Sequence, residues 1–167
     1  EQLVFAATDG VAGREVFRSD GTAPGTVLFA EVGVGGSGSN PTDLTILGAD
    51  LYFAADEIAT GRELWRKTPA ALTLVANLVD PGSSNPRELT PFLGEIFFLG
   101  DDAGGNLELW RTNGTGPGTS LVTDLTALSG FTEHGALAVA AGRLLVVLAD
   151  SANQTGAVWS SDGTPGG

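Results

Sequence analysis

Acidic and amide side chains cluster in a short glycine-rich segment near the middle of the chain. Asp101, Asp102 and Asn106 lie within residues 100–106. Carboxylate and amide oxygens are the ligands that Ca²⁺ takes in proteins. The segment therefore predicts a calcium-binding loop, although it lacks the spaced third acid and the distal glutamate of a helix-loop-helix calcium site. A solvated acidic loop that binds no metal is the alternative interpretation.

A second set of chemically active residues forms a recurring acid-apolar-aromatic triplet. Aromatic faces can stack on sugar rings, so the triplets could bind carbohydrate. Their position inside extended segments favours packing instead, with the acid capping backbone groups or pairing with Arg18, Arg66 or Arg111, which follow the aromatic directly. These arginines are also placed for cation–π contacts. The triplet positions are Glu15, Phe17, Glu63, Trp65, Glu108, Trp110 and, in a decayed copy, Trp159.

Signatures of catalysis are sparse in this sequence. The chain has no cysteine and one histidine, His134, and it contains no Gly-x-Ser-x-Gly segment. A thiol nucleophile is thereby excluded, and a serine triad would depend on His134 alone. Paired carboxylates for glycoside hydrolysis are defined by their separation in space, which the sequence does not provide. We assign no catalytic residue and no cofactor other than the candidate calcium ion.

The net charge restricts the partners. Twenty acidic residues against eight basic ones give a formal charge of −12, and nucleic acids and anionic membranes both attract basic surfaces instead. The longest apolar stretch, residues 136–149, is interrupted by Gly142 and Arg143, so no membrane-inserted helix is expected. We therefore predict no nucleic-acid partner and no membrane insertion.

These residues belong to an internal repeat. The triplet aromatics at positions 17, 65, 110 and 159 recur every 45 to 49 residues. Around each triplet, short apolar segments rich in β-formers alternate with turns such as those at Asp20-Gly21-Thr22 and Asp162-Gly163-Thr164, which are typical of hairpins. The pattern predicts an all-β fold, a β-propeller-like array of four-stranded antiparallel blades with about three and a half repeats. We place one repeat domain over 1–167, divided as 1–13, 14–61, 62–106, 107–156 and 157–167.

With Glu63-Leu64-Trp65, Asp20-Gly21-Thr22 and the Asn-Pro-x-x-Leu-Thr segments at 40–45 and 85–90, the chain resembles the ELWxxDGT repeat family. The resemblance covers essentially the whole chain. It implies a secreted bacterial, propeller-forming protein, sometimes labelled hyalin-like, with no agreed catalytic activity. The copies depart from the pattern where Phe17 replaces tryptophan, where the turn becomes Thr68-Pro69-Ala70, and where Ala157 replaces the acid.

The expected function is that of a non-enzymatic, extracellular or cell-surface structural or protein-interaction module. The alternatives are a calcium-assisted carbohydrate-binding propeller and, by analogy of fold alone, a propeller hydrolase or lyase. The chain begins at strand two of one blade and ends after strand three of another, and these partial blades do not complement each other. We therefore expect self-association, or further repeats of the same chain, with a glycan or an extracellular protein as other possible partners.

Overall fold

The computed structural model describes residues 2–33, 36–129, 135–150 and 155–164, and these contain fourteen strands and one short helix. The strands form four separate antiparallel sheets in chain order, with three, four, four and three strands. The all-β prediction is confirmed. Within each sheet, strands that are consecutive in sequence are hydrogen-bonded neighbours, so every sheet is a meander.

The strand boundaries follow the repeat. Sheet 1 contains β1 (Leu3–Thr8), β2 (Arg14–Ser19) and β3 (Val27–Ala30). Sheet 2 contains β4 (Thr42–Leu47), β5 (Asp50–Glu57), β6 (Gly61–Lys67) and β7 (Leu72–Ala76). Sheet 3 contains β8 (Arg87–Phe92), β9 (Glu95–Asp101), β10 (Leu107–Thr112) and β11 (Thr119–Asp124). Helix α1 (Leu125–Ser129) precedes sheet 4, which contains β12 (Gly135–Ala140), β13 (Arg143–Asp150) and β14 (Thr155–Ser161).

Two faces of each sheet have different roles, and the triplet defines them. Cross-strand pairing places Phe53 opposite Trp65 and Ala54 opposite Leu64, so the acid and the aromatic of a triplet share one face and the central apolar residue lies on the other. We call the face with the aromatic the leading face and the opposite one the trailing face.

The core lies between the sheets. One cluster joins the trailing face of sheet 1, through Val16, to the leading face of sheet 2, through Phe53. A second joins Leu64 of sheet 2 to Phe98 of sheet 3, and a third joins sheet 3 to sheet 4. Each junction therefore packs a trailing face on the next leading face.

Two local boundaries differ from those that the repeat pattern alone would give. The segment matched to Ile96–Asp101 begins at Leu144 rather than Leu145, because Leu144 pairs with Ser161 as Ile96 pairs with Thr112. Consecutive leucines conceal this register in the sequence, whereas the tight turn at Gly142, with φ of 72°, sets it. The last strand of sheet 3 ends at Asp124, and helix α1 begins at Leu125, although repetition of the strand pattern would extend the strand to Leu125.

Antiparallel meanders place alternate connections at opposite ends of the sheet. The turns β4–β5 and β6–β7 lie at one end of sheet 2, and the β5–β6 loop lies at the other, as in the other sheets. We call the first edge of the assembly the turn rim and the second the loop rim. The connections between sheets also lie at the loop rim.

Candidate functional site

The acids of the first two triplets are buried caps. Glu15 and Glu63 are fully buried, at 0% exposure. The Ser84 backbone N–H donates to Glu63 Oε1 at 2.9 Å, and the Ser84 hydroxyl donates to Oε2. Ser39 makes the same pair of bonds to Glu15, with its N–H at 2.7 Å. Both serines lie on connections between sheets, so each carboxylate ties its strand to the chain that enters the next sheet.

Two of the triplet acids, Glu63 and Glu108, have a raised pKa. Burial raises the pKa of Glu63 above its ordinary value, and the bonds from Ser84 and from the Leu78 backbone offset part of this increase. Burial likewise raises the pKa of Glu108, which is half-buried, and the bond from Trp110 opposes the shift. Since the raised value follows from burial among structural partners, it does not by itself indicate a proton-transfer role.

The triplet aromatics serve mainly in packing. The Trp110 indole N–H donates to Glu108 at 3.0 Å. The Trp65 indole nitrogen is buried without a hydrogen-bond partner, because the acid of its triplet is held by Ser84 instead. Phe17 stacks on Phe5 with ring centroids 6.3 Å apart. Trp159, by contrast, is 42% exposed, and is the triplet aromatic best placed to meet a ligand.

Arginines that follow the triplets join neighbouring sheets. Arg66 holds Asp50 on its own sheet, with Nε 3.0 Å from the carboxylate, and donates through Nη1 to the Gly114 carbonyl of sheet 3 at 3.1 Å. Arg111 donates in the same way to the Gly163 carbonyl of sheet 4 at 3.4 Å. Both acceptors are the glycines of repeated turns, so the arginine and the turn form one connection between sheets.

Sheet 1 replaces that connection with a cation–π contact. By analogy with Arg66 and Arg111, Arg18 would face the turn of sheet 2 at 68–70, where Thr-Pro-Ala replaces the Asp-Gly-Thr sequence. Arg18 lies over the Phe29 ring at 5.1 Å, and Lys67 of sheet 2 lies over the same ring at 5.1 Å. The sequence predicts salt bridges or cation–π contacts for the three arginines, and the structure contains both kinds.

The aspartates of the repeated turns bond within their own turns. Asp20 Oδ1 accepts the Thr22 backbone N–H at 2.9 Å and the Thr22 hydroxyl at 2.7 Å. Asp162 and Thr164 repeat this geometry. The threonine bonds lower the pKa of both aspartates. Their oxygens therefore stabilise the hairpin turn, in agreement with the hairpin interpretation of these segments.

The candidate calcium loop is held together by its own hydrogen bonds. Asp102 Oδ1 accepts the backbone N–H groups of Gly104 and Asn106 at 2.7 and 2.8 Å, and Oδ2 accepts the Asn106 side-chain amide at 2.8 Å. The bond from the Asn106 side chain is the main cause of the lowered pKa of Asp102. The structure therefore brings Asp102 and Asn106 together with the amide nitrogen, a donor, facing the carboxylate.

Asp101 points to a different set of partners. Arg87 Nη2 donates to Oδ1 at 2.8 Å and the Asn85 side chain donates to Oδ2 at 3.1 Å. Sheet 2 repeats the arrangement with Asp56, where Arg62 donates at 2.9 Å. In the described ranges, no group of three or more His, Cys, Asp or Glu residues converges as a metal site would require. The calcium site remains a prediction.

One connection between sheets was missed by sequence reasoning. The backbone N–H of Glu88 donates to Asp43 Oδ1 at 2.7 Å, and the N–H of Leu137 donates to Glu88 Oε2 at 3.3 Å. Each acid thus accepts from the first strand of the next sheet. The available signal was the acid at the fourth position of the Asn-Pro-x-x-Leu-Thr segments. Both acids have positive φ, 55° for Asp43 and 57° for Glu88.

The two rims differ in charge. Three basic residues, Arg14, Arg62 and Arg87, lie at the loop rim, and the other five lie at the turn rim beside the acids Asp20, Asp50, Glu95 and Asp162. Most of the acidic surplus lies on the opposite side, since acids occupy both the loops and the connections there. The acidic residues at the loop rim are Asp9, Glu31, Asp56, Glu57, Asp80, Asp101, Asp102 and Asp124.

His134, on which a serine triad would depend, lies outside the described residues. Among the residues described, no helix is both long and apolar enough to cross a membrane.

The comparisons with known proteins bear on the fold alone. No family model matches the chain, and no curated protein matches it. A solved structure from a study of two prolyl endopeptidases, concerned with inter-domain dynamics in catalysis and specificity, aligns with a TM-score of 0.55 and 11% identity. The alignment covers 96% of this chain and 24% of that one, so the chain spans about a quarter of that protein. The aligned protein has a propeller domain, and the likeness supports the all-β class with propeller-like sheets.

Proposed function

We propose that the four sheets are consecutive blades of a β-propeller and that the chain acts as a non-enzymatic structural or protein-interaction module. The observation that carries the proposal is the use of the repeat's polar groups. Glu15 and Glu63 cap the connections between sheets, and Arg66 and Arg111 bind the turns of the next sheet. These carboxylates and guanidinium groups, which could have served in a reaction centre, instead join each blade to the next.

The location belongs to the same proposal. We infer an extracellular or cell-surface position in a bacterium from the resemblance to ELWxxDGT repeats and from a chain without cysteine. The acidic loop rim favours a partner with a basic surface, since opposite potentials steer association. An extracellular protein or a further array of blades is the kind of partner that this surface fits.

A second candidate function is calcium-assisted carbohydrate binding. It is favoured by Trp159, which is 42% exposed, and by the oxygen-rich loop around Asp102. Here the Asn106 amide would have to turn away from Asp102 before its oxygen could reach a cation.

A glycan array probed with and without a calcium chelator separates the two functions. The interaction module predicts no glycan signal in either condition, and no change in thermal stability when calcium is added. Binding that the chelator abolishes would contradict the proposal in favour of the carbohydrate-binding alternative. The Trp159→Ala and Asp102→Asn variants would then map the site, with Glu31→Gln as a control at an exposed acid elsewhere on the loop rim.

A further inference from the structure

Two junctions between sheets have an arginine with the same pair of acceptors at the turn rim. Arg66 Nε lies 3.0 Å from the Asp50 carboxylate, and its Nη1 lies 3.1 Å from the turn carbonyl of sheet 3. Arg111 Nη1 lies 3.6 Å from the Glu95 carboxylate and 3.4 Å from the turn carbonyl of sheet 4. Each guanidinium thus receives a carboxylate from the second strand of its own sheet and a carbonyl from the next turn.

The junction between sheets 1 and 2 lacks both acceptors. Arg18 holds the arginine position there, but Gln2 stands directly before β1, where Asp50 begins the corresponding strand of sheet 2. The facing turn is Thr-Pro-Ala at 68–70, without the glycine that accepts the arginine elsewhere. Within the described ranges, Arg18 forms no ion pair and no hydrogen bond. Its N–H donors are therefore available to a ligand.

A second cation lies in the same junction. Lys67, the only lysine of the chain, occupies a position where each of the other sheets has a hydroxyl that accepts from the turn glycine. Those residues are Ser19, Thr112 and Ser161. The Lys67 ammonium lies 5.1 Å from the centroid of the Phe29 ring, and the Arg18 guanidinium lies at the same distance. Two positive charges thus converge on one aromatic ring.

No described acid of sheets 1 and 2 neutralises this pair. The acids that these sheets carry at the turn rim are Asp20 and Asp50. Asp50 is held by Arg66 on the trailing face of sheet 2, towards sheet 3. Asp20 belongs to the turn of sheet 1 and accepts from Thr22. In sheets 3 and 4 the corresponding turn lies against the preceding sheet, so the turn of Asp20 lies on the side away from sheet 2.

This lack of acceptors is set by elements that sheet 1 possesses. Sheets 2 and 3 are described in full, and there the arginine takes its acceptors from the second strand and from the turn of the next sheet. The first strand and the tight turn after it supply none. Sheet 1 has the corresponding second strand in β1, and sheet 2 has the corresponding turn at 68–70. A strand ahead of β1 that followed the repeat would therefore not fill the gap.

We propose that Arg18, Lys67 and Phe29 form a binding site for an acidic segment of a partner protein, with a side-chain carboxylate of the partner on the two cations. In the other two junctions the same arginine position receives a side-chain carboxylate and a backbone carbonyl, which are the groups that an acidic peptide offers. The guanidinium fork suits a carboxylate because it can donate two parallel hydrogen bonds. The inference rests on the proposed function as a protein-interaction module.

The net charge of the chain does not prevent such binding. The acidic surplus lies at the loop rim, and the strands that separate the rims have six or seven residues. A strand of that length spans about 20 Å. The Debye length is about 10 Å at 0.1 M salt, so the loop rim is screened from a ligand at the turn rim.

Fluorescence anisotropy of a labelled hexaglutamate peptide, titrated with the whole chain at about 0.1 M salt, tests the site. The wild-type chain should bind this peptide and not a hexaglutamine peptide. Arg18→Gln and Lys67→Thr, which introduces the kind of hydroxyl residue found in sheet 3, should each weaken binding at least about tenfold, since hydrogen bonds to charged groups are lost. Arg143→Gln removes the same charge from an exposed turn-rim residue of sheet 4 and should leave the affinity unchanged.

Gln2→Asp is the most specific variant, because it keeps both cations and supplies the acid that sheets 2 and 3 have. It should abolish peptide binding and raise the thermal midpoint, whereas Gln2→Asn should leave both unchanged. Circular dichroism of each variant establishes that it is folded. A wild-type chain that does not bind hexaglutamate, or a Gln2→Asp variant that binds as tightly as the wild type, would overturn the proposal.

An oligogalacturonate arm separates the sources of the carboxylate. Displacement of the peptide by this acidic glycan at equal or lower concentration would overturn the assignment to a protein partner, and failure to displace it supports that assignment. The chelator experiment fails independently of this titration. A chelator-sensitive glycan signal would contradict the proposed module without changing the effect of Arg18→Gln on peptide binding, and a negative peptide titration would remove this site alone.

Discussion

Replacing Glu63 with alanine is the sharpest test of how the sheets are joined. The carboxylate is fully buried and accepts both the N–H and the hydroxyl of Ser84, with a longer contact of 3.4 Å from the Leu78 N–H. The alanine variant leaves these donors without an acceptor in a site that is closed to solvent. The Gln variant keeps one acceptor, and the Ser84 hydroxyl can rotate to accept from its amide.

The magnitude follows from the bonds lost. An unsatisfied buried donor costs about 1–3 kcal/mol, so two well-formed bonds to Ser84 give about 4 kcal/mol for Glu63→Ala and about 1–2 kcal/mol for Glu63→Gln. Glu108→Ala is the matched control, because Glu108 has the same repeat position but is half-buried and accepts from Trp110. Its expected cost is about 1–2 kcal/mol.

Urea unfolding followed by tryptophan fluorescence and by circular dichroism measures these free energies. Domains of this size are stable by about 5–15 kcal/mol, so a loss of about 4 kcal/mol shifts the midpoint well beyond error. The reasoning is refuted if Glu63→Ala costs less than about 1 kcal/mol, or if the Gln variant is as unstable as the alanine variant. Either result would mean that the Ser84 donors find other acceptors.

Three further predictions use matched positions of the repeat. Trp110→Phe should cost about 1–2 kcal/mol more in urea unfolding than Trp65→Phe, because only the Trp110 indole N–H has an acceptor. Gly114→Ala should lower the thermal midpoint more than Gly21→Ala. Both glycines have φ near 90°, but a Cβ on Gly114 would clash with the Tyr52 hydroxyl of sheet 2, whereas one on Gly21 would have no atom within 4 Å. Since burial raises the pKa of Glu63, wild-type stability relative to Glu63→Gln should fall as pH rises from about 4 to about 7, measured by urea titration at each pH; equal slopes would contradict the assignment.

Much of the fold could be predicted from the sequence because the repeat is defined by patterns of neighbouring residues. Triplets such as Glu63-Leu64-Trp65 alternate between two faces, and turn glycines mark where each strand ends, so strand order needs only short-range information. The register of the last repeat could not be predicted in this way. Consecutive leucines at 144 and 145 satisfy either register, and a one-residue slip reverses which face is buried.

The polar groups of the candidate sites show the same division. Asp101 and Asp102 are adjacent in a loop that looks suited to calcium, yet Asp101 pairs with Arg87, fourteen residues earlier in the chain. The acids Asp43 and Glu88 are visible in the repeat, but the backbone N–H groups that they accept belong to the next sheet. Their role as acceptors therefore appears only when successive sheets lie side by side. Partners brought together by the packing of sheets are set by long-range contacts, which local sequence patterns do not encode.

By itself the sequence determined the strands, the turns, the period and the division of each strand into two faces, because these depend on side-chain alternation and on φ at turn residues. Only the tertiary structure decided which side chains are buried or hydrogen-bonded at the junctions between sheets and which remain exposed. Val158 and Leu109 hold the same place in their triplets, yet one is 67% exposed and the other 1%. The difference lies in whether another sheet covers them, and burial by a neighbour is a property of the assembled fold.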